Sequence, residues 1–159
     1  MKNVPVKIIV HHTAANTPNP QFLAINQWHK ERDFPKSSLG FFVGYHYVIE
    51  KNGELKQARE DLEEGAHTFG QNFSSIGVCL VGNFSKAYPT KEQLQTLGNL
   101  LVSLCNKYNI EGNKILPHRT FGKTECFGNL LKSAWAEAIF YEYEIQRLAK
   151  LLTNLGKPS

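Results

Sequence analysis

The stretch Val6-Lys7-Ile8-Ile9-Val10-His11-His12 decides the fold, because β-branched and apolar residues in such a run are typical of a strand buried inside a sheet. Lys7 and the two histidines interrupt an apolar run that is already too short for the core of a secretory signal peptide. We therefore expect residues 6–11 to form an inner strand of the mature protein. Histidines then stand at its carboxyl end.

The composition is that of a globular domain. The 159 residues are 42% hydrophobic and 20% charged, which suits one domain over residues 1–159 with its own core. The net charge of +4 is too small to indicate a nucleic-acid partner. Because no segment reaches the roughly 18 apolar residues of a membrane span, we expect a protein held in the cytoplasm, with no membrane partner.

A helical pattern follows the first strand. Asn19 and Pro20 predict the helix start, with Asn19 as the N-cap, and the helix should end near Arg32. One face of this helix carries Phe22, Ile25, Trp28 and His29.

Extended segments then surround a strong turn signal. Residues 45–50 and 54–58 flank Asn52-Gly53 and so predict an antiparallel hairpin. Residues 75–81 predict another inner strand. Thr90 and Gln93 form a capping box, which predicts a helix that continues to about Tyr108.

The rest of the chain predicts one short strand and one long helix. Residues 114–116 form the strand, and a C-terminal helical extension occupies about residues 128–155. This order of elements indicates the α/β class, a single domain in which a central mixed β-sheet is flanked by helices.

Residues that can carry chemistry stand where the predicted strands end. His11 closes the first strand, His118 follows the last one, and Cys126 comes eight residues later. Ligands of such sheets bind at strand ends, and two imidazoles with one thiolate suit a single zinc ion whose fourth position holds water. Residue types alone leave open that Cys126 is a small buried hydrophobe.

The other two cysteines have a simpler interpretation. Cys79 lies within an apolar strand and Cys105 on the apolar face of a helix, so we expect both to pack in the core. Three cysteines without close pairing do not predict a disulfide framework.

Several motifs, in order, resemble those of the zinc-dependent N-acetylmuramoyl-L-alanine amidases, the family that includes peptidoglycan recognition proteins and small amidase-type phage lysozymes. The resemblance covers about residues 6–135. It is carried by Ile8-Ile9-Val10-His11-His12-Thr13-Ala14, Gln27-Trp28-His29-Lys30, Gly44-Tyr45-His46-Tyr47-Val48-Ile49, Gly65-Ala66-His67, Asn72 with Ser75-Ile76-Gly77-Val78, and His118 to Cys126.

The resemblance implies a role for each matching residue. His11, His118 and Cys126 correspond to the family's zinc ligands, and Tyr45 to its catalytic tyrosine. Thr124 stands where the family places a lysine or threonine that stabilises the reacting carbonyl oxygen. Because the family residue is either a lysine or a threonine, the adjacent Lys123 makes the assignment of this role to Thr124 less distinct.

The implied reaction is hydrolysis of the amide between the lactyl group of muramic acid and L-alanine. Zinc would activate water and polarise the carbonyl, Tyr45 would orient that water, and Thr124 would donate to the developing oxyanion. We expect Cys126 to lie just before a helix N-terminus, which would favour its thiolate.

Three further residues are implied as substrate contacts, each with an alternative. His67 lines the family's cleft, although a surface-loop histidine has the same pattern. Asn72 would bind the muramyl peptide or else stabilise a turn, and Arg59 would bind substrate or else be a solvated charge. His12 and His46 alternate away from His11 and Tyr45, so we expect structural roles for both.

The residues on both sides of Cys126 depart from the family pattern. Phe127-Gly128 replaces the usual Pro-Gly, and residues 119–122 replace the usual acidic and proline residues. The ligands are kept, but the family pattern no longer predicts the hydrogen bonding around them or the substrate preference.

The C-terminal helix carries an apolar stripe that we expect to pack on the protein's own sheet, in a monomer. Self-association or contact with a protein partner is the alternative. The stripe comprises Tyr141, Ile145, Leu148, Leu152 and Leu155.

Four functions compete at this point. The resemblance implies a phage or prophage endolysin that cleaves peptidoglycan or muropeptides and remains in the cytoplasm until it is released to the cell wall. A non-catalytic peptidoglycan-binding module would have lost Tyr45 or Cys126, and both are present. A regulator that binds an RNA polymerase is the third. The fourth, a cytoplasmic recycling amidase, typically has aspartate where Cys126 stands.

Overall fold

The computed structural model describes residues 2–17 and 20–158. Within them the five strands form one mixed sheet in the order β3-β2-β4-β1-β5. The strands are β1 Lys7–His12, β2 Tyr47–Ile49, β3 Leu55–Gln57, β4 Ser75–Leu80 and β5 Ile115–Pro117. The helices are α1 Phe22–Glu31, α2 Lys91–Tyr108 and α3 Trp135–Leu155. The predicted α/β class with a central mixed sheet is confirmed.

The first strand occupies the interior of the sheet, as its sequence predicts. β1 pairs in parallel with β4 on one side and with β5 on the other, and His11 lies opposite Cys79. Apart from Lys7, every β1 residue is buried. The carboxyl ends of β1, β4 and β5 therefore meet at one edge of the sheet.

The two faces of the sheet bury separate cores. Alternate residues such as Ile8 and Val10 pack with α2 and α3, whereas Val48 and Cys79 pack with α1. The period of two places His11 on the α1 face and His12 on the opposite one. Helices thus cover both faces.

Local signals in the sequence account for the hairpin and for α2. β2 and β3 pair antiparallel around Asn52-Gly53, and Gly53 has a φ of 85°, which favours glycine. Thr90 caps α2 by accepting from the Gln93 backbone N–H, while the Gln93 side chain accepts from the Thr90 N–H. Both predictions are confirmed.

The start of α1 is stabilised by a distant carboxylate. Asn19, the predicted N-cap, lies outside the described residues. Glu50, only 2% exposed, accepts from the backbone N–H groups of Gln21 and Phe22. A carboxylate at this position complements the helix dipole. Trp28, expected on the apolar face, is 47% exposed.

The predictions for α3 were wrong in two respects. The helix begins at Trp135 and not near residue 128, because residues 126–134 form turns. The stripe is also not buried on the sheet: only Ala136 and Phe140 of α3 are buried. Its apolar members are 45–82% exposed, namely Tyr141, Ile145, Leu148, Leu152 and Leu155.

In the part of the chain that the structure describes, no helix combines the length and the apolar character needed to cross a membrane.

A buried carboxylate connects the sheet to the end of α2. Asp61 accepts from the hydroxyls of Tyr47 and Tyr108 and forms an ion pair with Lys107 at 2.9 Å. Burial alone would raise the pKa of Asp61, but these three donors outweigh it and hold the pKa below its ordinary value. Asp61 therefore favours folding in its ionised form.

We predict that Asp61→Asn lowers the free energy of unfolding at neutral pH by about 1.5–3 kcal/mol, the usual contribution of a hydrogen bond to a charged group. Because the folded pKa lies below the unfolded value, this contribution is complete above the unfolded pKa and is lost as the pH falls through the folded one. Urea denaturation at pH about 7 and about 3 should show the gap between parent and variant narrowing at the lower pH. A pH-independent gap contradicts this account, and the exposed Glu54→Gln serves as control.

Candidate active site

The edge where β1, β4 and β5 end carries three candidate metal ligands. His11 is the penultimate residue of β1 and is 1% exposed, and His118 follows β5 directly. Cys126 is brought back to β1, where its Sγ accepts from the His12 backbone N–H at 3.3 Å. One ligand atom from each of these three residues lies within 4.8 Å of the others. The structure thus brings all three predicted ligands together.

The chemistry of this set fits a soft or borderline divalent cation. Burial lowers the pKa of His11 and of His118, so both imidazoles are neutral and have a lone pair to offer. Burial raises the pKa of Cys126 to about 11, although the His12 N–H and Arg119 oppose it. A bound cation would supply the positive charge that the thiolate needs. Neutral nitrogen and thiolate sulfur are the donors that zinc prefers.

The predicted stabilisation of Cys126 by a helix N-terminus was wrong. Cys126 precedes a series of turns, and α3 begins only at Trp135. The α3 dipole therefore does not act on the thiol, and the groups that favour its ionisation are the His12 N–H and Arg119.

Tyr45 contributes a protonated hydroxyl beside the ligands. Its ring lies 5.0 Å from that of His11, centroid to centroid. Burial is the main reason that the pKa of Tyr45 is raised well above its ordinary value, and the neighbouring thiols of Cys79 and Cys126 add to it. Tyr45 therefore keeps its O–H at neutral pH and acts as a hydrogen-bond donor.

Thr124 lies at the rim of the same cleft, which has a volume of about 300 Å³. Its Oγ1 accepts from the Cys126 backbone N–H at 3.2 Å, which uses a lone pair and not the hydroxyl hydrogen. The side chain is exposed, so that hydrogen can be donated to a molecule in the cleft. Lys123 is also exposed but is not among the described residues that line the cleft.

The two histidines next to predicted site residues have structural partners. Nδ1 of His12 accepts from the Phe84 N–H at 3.0 Å. Nδ1 of His46 accepts from the Gly77 N–H, so Nε2 of His46 donates to the Glu63 carbonyl. Both histidines hold backbone in place.

His67 borders the cleft but is 9% exposed. Its Nδ1 lies 3.0 Å from Nε2 of His11 and 3.0 Å from Oγ1 of Thr68. Burial is the main reason that its pKa is well below the ordinary value, so the ring is neutral. Its polar contacts are with the protein.

The other two predicted substrate contacts are Asn72 and Arg59. Neither is among the described residues that line the cleft. Oδ1 of Asn72 accepts from the backbone N–H groups of His67 and Thr68, both at 2.9 Å, which is the turn-stabilising alternative. Arg59 is 2% exposed and so is not a solvated charge. Its guanidinium donates to backbone carbonyls, namely those of Val43, Glu64 and Pro35.

The loop that departs from the family pattern is organised by Arg119. Its guanidinium donates to the carbonyls of Gly128 and Leu131 and lies 5.3 Å from the centre of the Phe127 ring. The Arg119 backbone N–H donates to the Cys126 carbonyl at 2.8 Å. Phe127 is fully buried. Arginine and phenylalanine therefore fix the residues on both sides of the thiol.

Sequence reasoning missed the α1 wall of the cleft, formed by His29, Arg32 and Phe34. His29 stacks on Phe34, and its Nδ1 accepts from the Gly44 N–H at 2.9 Å. Burial, helped by Arg32 and Arg59, lowers the pKa of His29 to about 4. Two signals pointed to His29, namely its place on the apolar face of the helix and the family motif Gln27-Trp28-His29-Lys30, but neither indicated a cleft wall.

Fold and site together place two imidazoles and one thiol in a cleft at the carboxyl ends of the strands of a mixed sheet. A family model described as N-acetylmuramoyl-L-alanine amidase matches residues 1–129. The endolysin of Enterobacteria phage T3 is 37% identical over 134 residues, which cover 80% of this chain and 83% of that protein.

Two solved structures extend the likeness. The N-acetylmuramoyl-L-alanine amidase LysC from Clostridium intestinale matches with a TM-score of 0.72 and 32% identity, over 91% of this chain and 86% of that one. A variant of Drosophila PGRP-LB in complex with tracheal cytotoxin matches with a TM-score of 0.69 and 26% identity, over 86% and 80%. The chain belongs to the N-acetylmuramoyl-L-alanine amidase family and is an enzyme of that class.

We predict that Asn72→Ala lowers the free energy of unfolding by about 1–3 kcal/mol, because two buried backbone N–H groups lose their acceptor. Chemical denaturation measures this, with the exposed Asn129→Ala as control. A raised KM for muropeptides without any loss of stability would instead identify Asn72 as a substrate contact.

Proposed function

We propose that the protein uses one zinc ion, held by His11, His118 and Cys126, to hydrolyse the amide between the lactyl group of N-acetylmuramic acid and L-alanine. The supporting observation is the convergence of two neutral imidazoles and one thiol within 4.8 Å in an open cleft. Three protein ligands leave a fourth position for water, as in catalytic zinc sites.

Zinc held there would act as a Lewis acid and bring the pKa of a bound water near 7. The chain's own residues supply the rest of the chemistry. Cys126 gives up its proton when the metal binds, so its negative charge offsets half of the charge on the cation. His11 and His118 stay neutral.

Tyr45 and Thr124 act on the reacting groups from two sides. The Tyr45 hydroxyl, which stays protonated, donates a hydrogen bond that orients the attacking water beside His11. The Thr124 hydroxyl donates to the carbonyl oxygen as negative charge develops on it. Its position is held because its oxygen accepts from the Cys126 N–H.

The biological role we propose is that of a phage or prophage endolysin acting on peptidoglycan or muropeptides as a monomer. The phage T3 relative is an endolysin, and the PGRP-LB neighbour is in complex with tracheal cytotoxin. In this role the enzyme stays in the cytoplasm until release to the cell wall. His29, Arg32 and Phe34 would then face the substrate from the α1 side.

We predict that Cys126→Ala reduces bound zinc from equimolar to trace amounts and abolishes release of stem peptides from muropeptides, because the thiolate is a metal ligand. Elemental analysis and mass spectrometry of the digested wall measure both effects. Cys105→Ala, a buried thiol on α2, should keep both zinc and activity. A zinc-loaded parent that releases no peptide would refute the proposed reaction, and equal zinc content in the two variants would refute the ligand assignment.

We predict that Thr124→Val lowers kcat by about 10²–10³-fold, as for loss of one oxyanion donor, with little change in KM. Thr124→Ser keeps the hydroxyl and should retain most of the activity. Steady-state kinetics on a defined muropeptide distinguish the two variants. If valine and serine variants are equally active, Thr124 has no such role.

A further inference from the structure

We infer that His67 is a positioning residue that fixes the tautomer and orientation of His11, and is not primarily a substrate contact. This inference rests on the proposed zinc site. It starts from the contact between Nδ1 of His67 and Nε2 of His11, 3.0 Å apart and buried.

Four residues form a chain of hydrogen bonds, from His11 through His67 and Ser75 to the Gln71 carbonyl. The carbonyl at the end of this chain determines the direction of each hydrogen bond. The Gln71 carbonyl can only accept, so the Ser75 hydroxyl donates to it at 2.7 Å. Oγ of Ser75 is then the acceptor for Nε2 of His67, which lies 3.4 Å away. The proton of a neutral His67 therefore sits on Nε2.

That assignment determines the state of the metal ligand. With its proton on Nε2, His67 presents the Nδ1 lone pair to His11. Nε2 of His11 must then carry a proton and donate it in this hydrogen bond. Nδ1 of His11 keeps its lone pair and is the nitrogen available to a metal. A histidine ligand whose other nitrogen donates to a fixed acceptor is the usual arrangement in metal sites.

Two glycines leave room for the His67 ring. A Cβ at Gly77 would lie 2.6 Å from Cγ and Cδ2 of His67, and a Cβ at Gly65 would lie 2.6 Å from Cδ2. Distances under 3.0 Å require something to shift. Any side chain at either position would thus displace the ring or the backbone around it. The Asn72 oxygen fixes the backbone of His67 as well, through its N–H.

The experiment compares His67→Leu with His67→Asn in the full chain. Leucine removes the acceptor, whereas an asparagine amide oxygen can occupy the place of Nδ1. Chelator competition should show zinc affinity about 10–100-fold weaker for His67→Leu, as for loss of other outer hydrogen-bond partners, and largely rescued in His67→Asn. KM for a muropeptide at saturating zinc should be unchanged. Gly77→Ala should weaken zinc binding in the same direction, and thermal unfolding of the metal-free proteins checks that each variant folds.

A second readout needs no metal. In ¹⁵N-labelled metal-free protein, imidazole shifts should show His11 protonated at Nε2 in the parent and in His67→Asn, and a mixture of tautomers in His67→Leu. The Nδ1-protonated form in the parent would overturn the inference, as would unchanged zinc affinity with a raised KM in His67→Leu. A parent that binds no zinc but shows the expected tautomer would count against the proposed function alone.

Discussion

The parallel pairing of β1 between β4 and β5 is the constraint on which the site depends. It forces three strands to end at the same edge, with His11 opposite Cys79 and with His118 just beyond the end of β5. Side-chain alternation then assigns His11 to the α1 face and His12 to the other. A shift of one residue in this register would exchange the two histidines, and His11, the proposed metal ligand, would point into the α2 core.

The site contains few charges. Its ligands and their neighbours are imidazoles and thiols whose pKa values are displaced by burial in the direction of the neutral form, as for His11, His67 and Cys126. A cation that binds here would meet nitrogen lone pairs and one thiol, with no carboxylate among the described residues that line the cleft. Binding of the proposed metal would therefore release a proton from the thiol, and metal affinity should increase with pH.

Much of this arrangement was readable from local patterns. The apolar run of β1, the Asn52-Gly53 turn and the Thr90 capping box each depend on neighbours in the sequence, so each could be predicted. The start of α3 could not, because residues 126–134 are held in turns partly by Arg119, which acts across the loop. The predicted ligands needed the family resemblance, since residue types alone gave no tight ligand spacing. The burial of Arg59 could not be predicted either. It depends on the carbonyls of Pro35, Val43 and Glu64, and hydrophobic periodicity carries no information about such contacts.

The two edge strands of the sheet bear on the accumulation in the cytoplasm that we propose for this enzyme. Open edges pair with other chains and so promote aggregation. One edge here is β3, only three residues long and carrying Lys56, and the other is β5, equally short and ending in Pro117, which has no N–H to donate. Short strands, a lysine and a proline thus discourage growth of the sheet between molecules. These features do not cover the carboxyl ends of the strands, where His118 follows β5. Protection against aggregation and access to the site are therefore compatible.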